Sequence, residues 1–447
     1  MNIFYFLYKV LTLFLFSMLL FPFLLFVLIT GKYRKHFNER LGFISKGRLK
    51  NLSGEPRIWI HAVSLGEIKV ACSIISALRE LMPRSSVLLS ANTEHGRNLA
   101  LEMLGDRIPI IYAPVDLFLF VRKALKKINP DALIFLETEI WPSWIIEARR
   151  AGIKIALLNG RISGRSLKNY LRFKPFFKNI LSNFDTLSMI SEEDRKHIML
   201  IGANPEKTLV NGNAKYDMLI HQTEPRMNEN IRRLLDIDPD IPVIVAGSTR
   251  TGEEEILLDA FRNISGDFPD AVLIIAPRHI ERVKDIIELL RGRRLGHHLR
   301  SEFGPSDFRR EQNIIIIDCY GELFNIYSAA NIAFCGASLV PLGGQNPLEP
   351  AAWGTPVFHG PNMDDFLDAV DLLKRYDASV EVTDHADLSE KAVFLLNRPE
   401  LLRQKGMSAK TALMENRDAS EKHARVIADF INNSNRIQIK DHSFRSK

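Results

Sequence analysis

The chain has 447 residues, of which 46% are apolar, and this is enough to fill two hydrophobic cores. Its formal charge of +6 is a small excess of 59 basic over 53 acidic residues, so nucleic-acid binding is not required, whereas an anionic membrane surface or a phosphorylated substrate is allowed. The cysteines Cys72, Cys319 and Cys335 lack paired spacing, which argues against a disulfide framework or a zinc site and favours a reducing compartment.

The first predicted element is a membrane anchor at residues 1–31. No charge occurs from Val10 to Thr30, and a helix of this length could cross a hydrocarbon core of roughly 30 Å. The basic run from Lys32 to Lys50 follows, which places the rest of the chain in the cytoplasm and disfavours a cleaved signal peptide. Because Pro22 could kink the helix, a spanning anchor and a tilted, partly embedded one both remain open.

Residues 32–217 are predicted to form a Rossmann-like domain. Buried apolar runs alternate with helical patterns, which is typical of a doubly wound parallel sheet. The predicted strands are Arg57–Val63, Ser86–Ser90, Ile108–Tyr112, Ala132–Leu136, Lys154–Asn159 and Thr186–Ile190.

Three polar groups follow strands of this domain: Ser64 to Glu67, Glu137 to Glu139, and Asn159 to Arg161. Ligands of such sheets bind at the carboxyl ends of the strands. Glu67 begins a helix predicted to run to about Leu81, and we expect the helix dipole to keep its carboxylate ionised, so that it can take a proton from a sugar hydroxyl. The alternative is that Glu67 is half of a capping box with Ser64.

Glu137 and Glu139 would share one face of an extended chain and therefore need cationic partners or a chemical role. The simpler explanation is an ion pair with Arg161 or Arg165. The basic and aromatic segment from Arg161 to Lys178 is either an acceptor-side surface or an ordinary solvated helix face.

A polar linker at 218–240 is predicted to lead into a second Rossmann-like domain at 241–398. Arg278 and Lys215 would supply cations for a nucleotide phosphate, although a surface salt bridge explains such an arginine equally well. The sequence Asp236-Ile237-Asp238 is interpreted as a solvated loop rather than a metal motif. Residues 399–447 are predicted to be helices that pack back across the domain junction. The predicted strands are Pro242–Gly247, Ala271–Ala276, Ile314–Asp318 and Asn331–Cys335.

The stretch from Phe334 to Gly354 indicates a nucleotide site. It contains Gly343-Gly344 and then a helix whose first turn holds Pro347 and Glu349. We expect backbone amides here to hold a phosphate while Glu349 accepts the ribose hydroxyls. A glycine turn followed by a well-started helix is the alternative.

Six motifs, taken together, resemble the 3-deoxy-D-manno-octulosonic acid (Kdo) transferases of lipopolysaccharide synthesis. The resemblance covers nearly the whole chain and implies a GT-B fold, with two Rossmann-like domains facing a cleft, the acceptor on the N-terminal side and the donor on the C-terminal side. The motifs are H-A-V-S-L-G-E (61–67), E-T-E-I-W-P (137–142), N-G-R-I-S (159–163), G-N-A-K-Y-D (212–217), A-P-R-H (276–279) and G-G-Q-N-P-L-E-P (343–350).

The same resemblance implies transfer of Kdo from CMP-Kdo to the lipid A precursor lipid IVA, with inversion and with neither a metal nor another cofactor. It implies an enzyme of the bacterial inner membrane whose catalytic domains are cytoplasmic, with no nucleic-acid partner. A GT-B transferase that uses another nucleotide sugar, or a membrane-anchored protein that only binds nucleotide or lipid, remains the alternative.

The resemblance also assigns residues. Glu67 corresponds to the general base, and Glu137 and Lys215 to transition-state stabilisers. The implied CMP contacts are Pro277, Arg278, Gly321, Glu322, Leu323, Asn346, Pro347, Leu348 and Glu349.

Overall fold

The computed structural model describes residues 3–30, 37–304, 308–415 and 417–444. The chain divides into two compact units. The first is Met1–Met218 together with Asp418–Lys447, and the second is Leu219–Arg417.

The first unit contains a seven-stranded parallel sheet within the described residues, in the order β3-β2-β1-β4-β5-β6-β7. Apolar clusters cover both faces of the sheet, with Trp59 and Phe135 on one side and Ile60 and Ile134 on the other. Because both faces are buried, the strands are continuous apolar runs in the sequence. The strands are β1 (Arg57–Ala62), β2 (Ser86–Ala91), β3 (Ile110–Tyr112), β4 (Ala132–Leu136), β5 (Lys154–Gly160), β6 (Thr186–Met189) and β7 (Thr208–Val210).

The second unit contains another seven-stranded parallel sheet within the described residues, in the order β10-β11-β9-β8-β12-β13-β14. The two sheets confirm the predicted fold class of doubly wound α/β units. The strands are β8 (Val243–Thr249), β9 (Val272–Pro277), β10 (His298–Leu299), β11 (Ile314–Ile316), β12 (Ile332–Cys335), β13 (Val357–His359) and β14 (Ser379–Glu381).

Helices connect most successive strands and cover the sheets. They are α1 (Ile3–Thr30), α2 (Phe37–Arg40), α3 (Leu65–Leu81), α4 (Glu94–Leu104), α5 (Phe118–Ile128), α6 (Pro142–Arg150), α7 (Gly164–Arg172), α8 (Lys174–Leu181), α9 (Glu192–Ile201), α10 (Ala214–His221), α11 (Met227–Leu234), α12 (Glu253–Asp267), α13 (Val283–Gly292), α14 (Leu323–Ile326), α15 (Leu348–Ala352), α16 (Leu367–Arg375), α17 (His385–Leu396), α18 (Pro399–Met414) and α19 (Ala419–Phe444).

Helix α1 is long and apolar enough to cross a membrane, judged by length and composition. Its bounds agree with the apolar stretch of the predicted anchor at residues 1–31. The first basic residues after it, Lys32, Arg34 and Lys35, lie outside the described residues.

The segment 218–240, predicted as a linker, lies almost entirely in the second unit and contains α11. Leu235 and Ile237 are buried in the core of that unit. The Arg232 guanidinium holds the segment in place, since it donates to the carbonyl oxygens of Asp238, Pro239, Ile241 and Ala329 and to Oδ1 of Asn331. The predicted linker, although polar in sequence, therefore contains a helix that is fixed to the core of the second unit.

The loop predicted to be solvated at 236–238 is also partly buried. Ile237 is 4% exposed. Asp236 accepts a hydrogen bond from the Arg310 backbone N–H at 3.0 Å and pairs with Arg309 at 3.3 Å. The first carboxylate of the D-x-D sequence is thus held by the Arg309 guanidinium and by the backbone N–H of Arg310.

The two C-terminal helices belong to different units. Helix α18 stays in the second unit, whereas α19 belongs to the first, where it packs against α3. Asp217 accepts the backbone N–H groups of Asp418 and Ser420 at 3.0 and 3.1 Å. The chain therefore returns to its first unit at the point where α19 begins.

Each sheet has a topological switch point, where later strands are added on the opposite side of the first strand. In the first unit β1 lies between β2 and β4, and in the second β8 lies between β9 and β12. Loops diverge outside the carboxyl ends of the strands at such switch points, which leaves a crevice for ligands. The candidate residues are therefore those that follow β1 and β4, and those that follow β8 and β12.

Candidate active site

Glu67 lies at the switch point of the first sheet, in the first turn of α3. Its backbone N–H donates to Ser64 Oγ at 3.1 Å, while its carboxylate accepts the Val63 N–H at 2.8 Å and the Ser64 hydroxyl at 3.1 Å. This arrangement is a variant of the capping box, in which the carboxylate accepts the N–H of the residue before the N-cap Ser64. Capping fixes the direction of the side chain and leaves its acid–base chemistry available.

Burial decides the protonation of Glu67. The residue is 5% exposed, and desolvation raises its pKa to about 7, against the hydrogen bonds from Val63 and Ser64 and with a further increase from the charges of Glu139 and Glu137. The expectation that the helix dipole keeps this carboxylate ionised was wrong, because burial raises the pKa more than the hydrogen bonds lower it and the group is only partly ionised near neutral pH. A carboxyl group with this pKa accepts and releases protons near neutral pH.

Lys215 and Glu137 form an ion pair beside Glu67, with Nζ 2.7 Å from Oε1. A Cβ added at Gly66 would lie 3.3 Å from Lys215 Cε and 3.4 Å from Nζ, so the lysine passes directly over this glycine. The structure therefore brings together the three residues that the resemblance marks as catalytic. Glu137 therefore has a cationic partner in Lys215, while the Arg165 side chain, one of the two partners considered from the sequence, lies outside the described residues.

Two asparagines position Lys215. Asn159 Oδ1 accepts the Ala214 N–H at 2.9 Å, and Asn213 Oδ1 accepts the Lys215 N–H at 3.0 Å. The sequence gives these asparagines as parts of motifs but does not reveal this role. An Asn at N-cap spacing before a helix was the signal that was available.

Glu139 does not share a face with Glu137. The φ angle of Glu137 is +53°, so the chain turns sharply after β4, and Glu139 instead accepts a hydrogen bond from Trp141 Nε1. The predicted common face was wrong because it assumed an extended chain. Burial raises the pKa of Glu139 as well, against the hydrogen bond from Trp141 and with a further increase from the charge of Glu137.

Unfavourable backbone conformations occur at the carboxyl ends of strands near both switch points. Glu137, Asn159, Ser248 and Ala337 have φ angles of +53°, +52°, +57° and +59°. They lie at or next to the ends of β4, β5, β8 and β12. A non-glycine residue in this region costs of order 1–3 kcal/mol, and such residues cluster at functional sites.

In the second unit Glu253 holds the loop that follows β12. Its fully buried carboxylate accepts the N–H groups of Arg250, Ala337, Ser338 and Leu339 at 2.6 to 3.0 Å. Burial raises the pKa of Glu253 although four backbone N–H groups donate to it. An internal carboxylate thus occupies the amides of Ala337 to Leu339, which belong to the stretch expected to bind a nucleotide. Sequence reasoning missed this residue, since a glutamate at a helix start is common.

The loop at 343–349 is shaped by two glycines and an asparagine. Gly343 and Gly344 have φ angles of +84° and +79°, and a Cβ at Gly343 would lie 2.6 Å from Asp365 Oδ2. Asn346 Oδ1 accepts the Leu348 N–H at 3.2 Å, and its Nδ2 donates to Glu349 Oε1 at 3.4 Å. Helix α15 has five residues, and its first backbone N–H already donates to Asn346. The helix start therefore has fewer free N–H groups for a phosphate than we expected.

Basic side chains follow the neighbouring strands β8 and β9. Arg250 Nη1 lies 2.7 Å from His279 Nε2, and Arg278, next after Pro277, is exposed. The Arg278 backbone N–H donates to the Thr249 carbonyl at 3.1 Å, which ties the two strand ends together. These guanidinium groups are charged donors suited to an anion, whereas the amides of Ala337 to Leu339 already donate to Glu253. Arg250 was not among the predicted contacts.

The remaining predicted contacts lie after β11. Gly321 has a φ angle of +87°, and Leu323 begins α14. The Glu322 carboxylate pairs with the Arg300 guanidinium at 2.6 Å, which directs this side chain toward Arg300. A ligand at this turn would therefore meet a Glu322 carboxylate that is already paired.

Comparison with known proteins agrees with this architecture. A glycosyltransferase from Rickettsia africae has a similar structure, with a TM-score of 0.55 over 84% of this chain and 97% of that one, at 16% identity. UDP-GlcNAc 2-epimerase from Neisseria meningitidis has a TM-score of 0.59 over 84% of this chain and 100% of that one, at 13% identity. Two doubly wound units with polar switch points place the chain in the GT-B-like class.

Sequence comparison identifies the family within the GT-B-like class. The family described as 3-deoxy-D-manno-octulosonic-acid transferase (kdotransferase) matches residues 35–218. The 3-deoxy-D-manno-octulosonic acid transferase of Haemophilus influenzae is 31% identical over 393 residues, which is 88% of this chain and 90% of the relative. A bifunctional glycosyltransferase/methyltransferase of Fusobacterium nucleatum is 34% identical over 77% of this chain, which spans about half (54%) of that relative. The chain belongs to the Kdo transferase family and is a glycosyltransferase.

Proposed function

We propose that this enzyme transfers Kdo from CMP-Kdo to lipid IVA, with inversion at the anomeric carbon and without a metal ion. The observation that carries the proposal is the buried Glu67, whose pKa lies at about 7, beside the Lys215–Glu137 ion pair. A base that titrates near neutral pH, next to a fixed cation, suits the attack of a sugar hydroxyl on an activated sugar.

Glu67 acts as the general base. Its carboxylate takes the proton of the acceptor hydroxyl while the hydroxyl oxygen forms the new bond to the anomeric carbon of Kdo. The bond from that carbon to the phosphate oxygen of CMP breaks, and CMP leaves with the electron pair. A single displacement of this kind inverts the anomeric centre and requires no second carboxylic acid.

Fixed positive charge stabilises the groups that carry negative charge in this step. Arg250 and Arg278, at the ends of β8 and β9, are assigned to the phosphate of CMP, and Glu349 is assigned to the ribose hydroxyls. Lys215, held by Glu137, is assigned to charge that develops at the reacting centre. With these cations a divalent metal ion has no required role.

The lipid acceptor accounts for the apolar helix at the N-terminal end of the chain. We assign the enzyme to the bacterial inner membrane, with its catalytic units on the cytoplasmic side, since the basic run after α1 is attracted to the anionic lipids of the cytoplasmic leaflet. The family relatives support the sugar that is transferred, because their names give 3-deoxy-D-manno-octulosonic acid as the group.

The test is mass spectrometry of products formed by the purified enzyme from lipid IVA and CMP-Kdo generated in situ. The proposal expects a mass increase of one or more Kdo residues, unchanged by EDTA. Loss of product in EDTA that returns with a divalent ion would contradict the metal-independent mechanism. Binding of UDP but not of CMP would indicate another nucleotide sugar and overturn the donor assignment.

A further inference from the structure

Helix α1 is attached to the first unit by polar side chains near its N-terminal end. Tyr5 is 1% exposed, and its hydroxyl donates to Glu147 Oε1 at 2.7 Å, while Lys9 Nζ lies 3.3 Å from the same oxygen. The Tyr8 hydroxyl donates to Asp116 Oδ2 at 2.6 Å. The polar residues at this end of the helix thus point into the protein.

The attachment continues along the helix. The Phe16 ring lies 5.2 Å from the Phe120 ring of α5, the Phe23 ring lies 6.0 Å from the Phe37 ring of α2, and Val27 is buried. From Tyr5 to Val27 the axial rise is about 33 Å at 1.5 Å per residue. These contacts recur at helical spacing, so one face of α1 lies along the first unit for most of its length.

The other faces of α1 are apolar and exposed. Lys9 is the single charged residue between Ile3 and Thr30, and it lies on the attached face. The exposed large side chains of the helix are Ile3, Phe4, Phe6, Leu7, Val10, Leu11, Leu13, Phe14, Leu15, Met18, Leu19, Phe21, Phe23, Leu25, Phe26, Leu28 and Ile29. An apolar surface of this extent is not stable in water.

A membrane-spanning orientation is incompatible with these contacts. The groups that hold the N-terminal end include Glu147, which also pairs with Arg122 and Arg150, and those that hold the C-terminal end belong to the same unit. If α1 crossed the bilayer, these charged groups would have to enter the hydrocarbon or the contacts would have to break. Breaking them would remove Tyr5 and Lys9 from Glu147, which is 3% exposed.

Lipid explains the exposed surface better than a second copy of this chain. A partner helix covers one stripe of its neighbour, whereas the apolar surface here extends around the remaining circumference. Helix α8 lies next to α1, since the Tyr8 and Phe176 rings are 5.8 Å apart. The exposed Phe173 stands at the start of α8 between Arg172 and Lys174, an apolar side chain flanked by charges that attract anionic lipid.

We propose that α1 is an in-plane element that stays docked on the first unit and embeds its exposed faces in one leaflet, so that its N-terminal end remains on the same side of the membrane as the catalytic units. This inference rests on the membrane location given under the proposed function. The basic segment from Arg161 to Lys178 then borders the lipid surface near α8. The bilayer is the partner of this face, as for other interfacial helices.

Crosslinking in native membranes tests the docking. In full-length enzyme with Cys319→Ser, which removes the one cysteine that is not buried, the pair Phe16→Cys and Phe120→Cys should be joined within one chain by a short bismaleimide. The control pair is Phe14→Cys and Phe120→Cys, because Phe14 is 64% exposed and lies about 200° away around the helix. We expect the first pair to be crosslinked and the control pair to remain uncrosslinked.

Side-specific labelling of Asn2→Cys, a polar position that precedes the apolar run, provides the second measurement. A membrane-impermeant maleimide should label it in inverted vesicles and leave it unlabelled in right-side-out vesicles. Labelling from the outside, or no crosslink of the Phe16 and Phe120 positions in membranes that contain the folded variant, would overturn the proposal. Crosslinks between two chains through Phe14→Cys alone would show that a second copy covers this face and would overturn it as well. Kdo transfer assayed in the same membranes separates a failure of this inference from a failure of the proposed activity.

Discussion

The Lys215 ammonium lies 2.7 Å from Glu137 Oε1 and passes over Gly66, which has no side chain to obstruct it. The lysine side chain is 38% exposed and the glutamate side chain 14% exposed. Glu137 comes from the turn after β4, Gly66 from α3 and Lys215 from α10. A cation is thereby fixed next to a carboxyl group that titrates near neutral pH.

Replacing Lys215 tests the role of this cation. Lys215→Met should lower kcat by about 10²–10³-fold, because a preorganised charge at the reacting centre is lost. The Glu137 charge would also be left without its partner, so proton loss from Glu67 should require a higher pH. Steady-state kinetics across pH measure both effects.

Lys69→Met is the matched control, since Lys69 is an exposed lysine of the same helix as Glu67. It should leave kcat and the pH profile unchanged. Equal activity of Lys215→Met and Lys69→Met would remove Lys215 from the mechanism.

The pH dependence of kcat/KM should follow Glu67. A general base must be deprotonated, and burial raises this pKa to about 7, so kcat/KM should decline as the pH is lowered through about 7. Glu139→Gln removes a negative charge that raises the pKa of Glu67, and it should move the decline to lower pH. Glu80→Gln, an exposed position of α3, should not move it. A Glu139→Gln profile identical to that of the wild type would argue against Glu67 as the titrating group.

The raised pKa of Glu67 also predicts a stability effect. The folded state binds this proton up to a pH of about 7, whereas an unfolded glutamate loses it near 4.5, so Glu67 lowers the free energy of unfolding as the pH rises between these values. Glu67→Gln removes this loss and should be more stable than the wild type at pH 8, by up to about 3 kcal/mol. Urea denaturation at pH 5 and pH 8 measures the difference. A variant destabilised equally at both pH values would contradict the assignment.

Glu253→Gln tests the loop after β12. A glutamine amide cannot accept four N–H groups, so the free energy of unfolding should fall by about 2–4 kcal/mol and CMP should bind more weakly. Glu255→Gln, in the same turn of α12 but exposed, is the control. Thermal unfolding and isothermal titration with CMP give the two values. Full stability of Glu253→Gln would show that the loop does not depend on this carboxylate.

The sequence predicted the long buried strands. Apolar runs such as Ala132–Leu136 have the bounds of the observed strand, since a parallel sheet covered on both faces requires continuous apolar residues. The short strands β7, β10, β13 and β14 were missed because two or three residues are too few to show a strand pattern in the sequence. The segment 218–240 was interpreted as a linker because the polar surface of α11 dominates its composition, while Ile231 supplies the buried contact.

The contacts of the candidate site were harder to predict. The pairing of Glu137 with Lys215 depends on where the sheet places β7 and α10, and spacing along β4 contains no such information. The occupation of the amides of Ala337 to Leu339 by Glu253 likewise arises from tertiary packing. Sequence reasoning named candidate residues for the chemistry but did not assign their partners.

The most direct test of the account compares turnover and CMP binding in Glu67→Gln. Glutamine keeps the size of the side chain and can accept the Val63 N–H but cannot take a proton, so kcat should fall by about 10²–10⁴-fold while the affinity for CMP stays within error of the wild type. Kdo transfer at the wild-type rate by a folded Glu67→Gln enzyme would contradict the account.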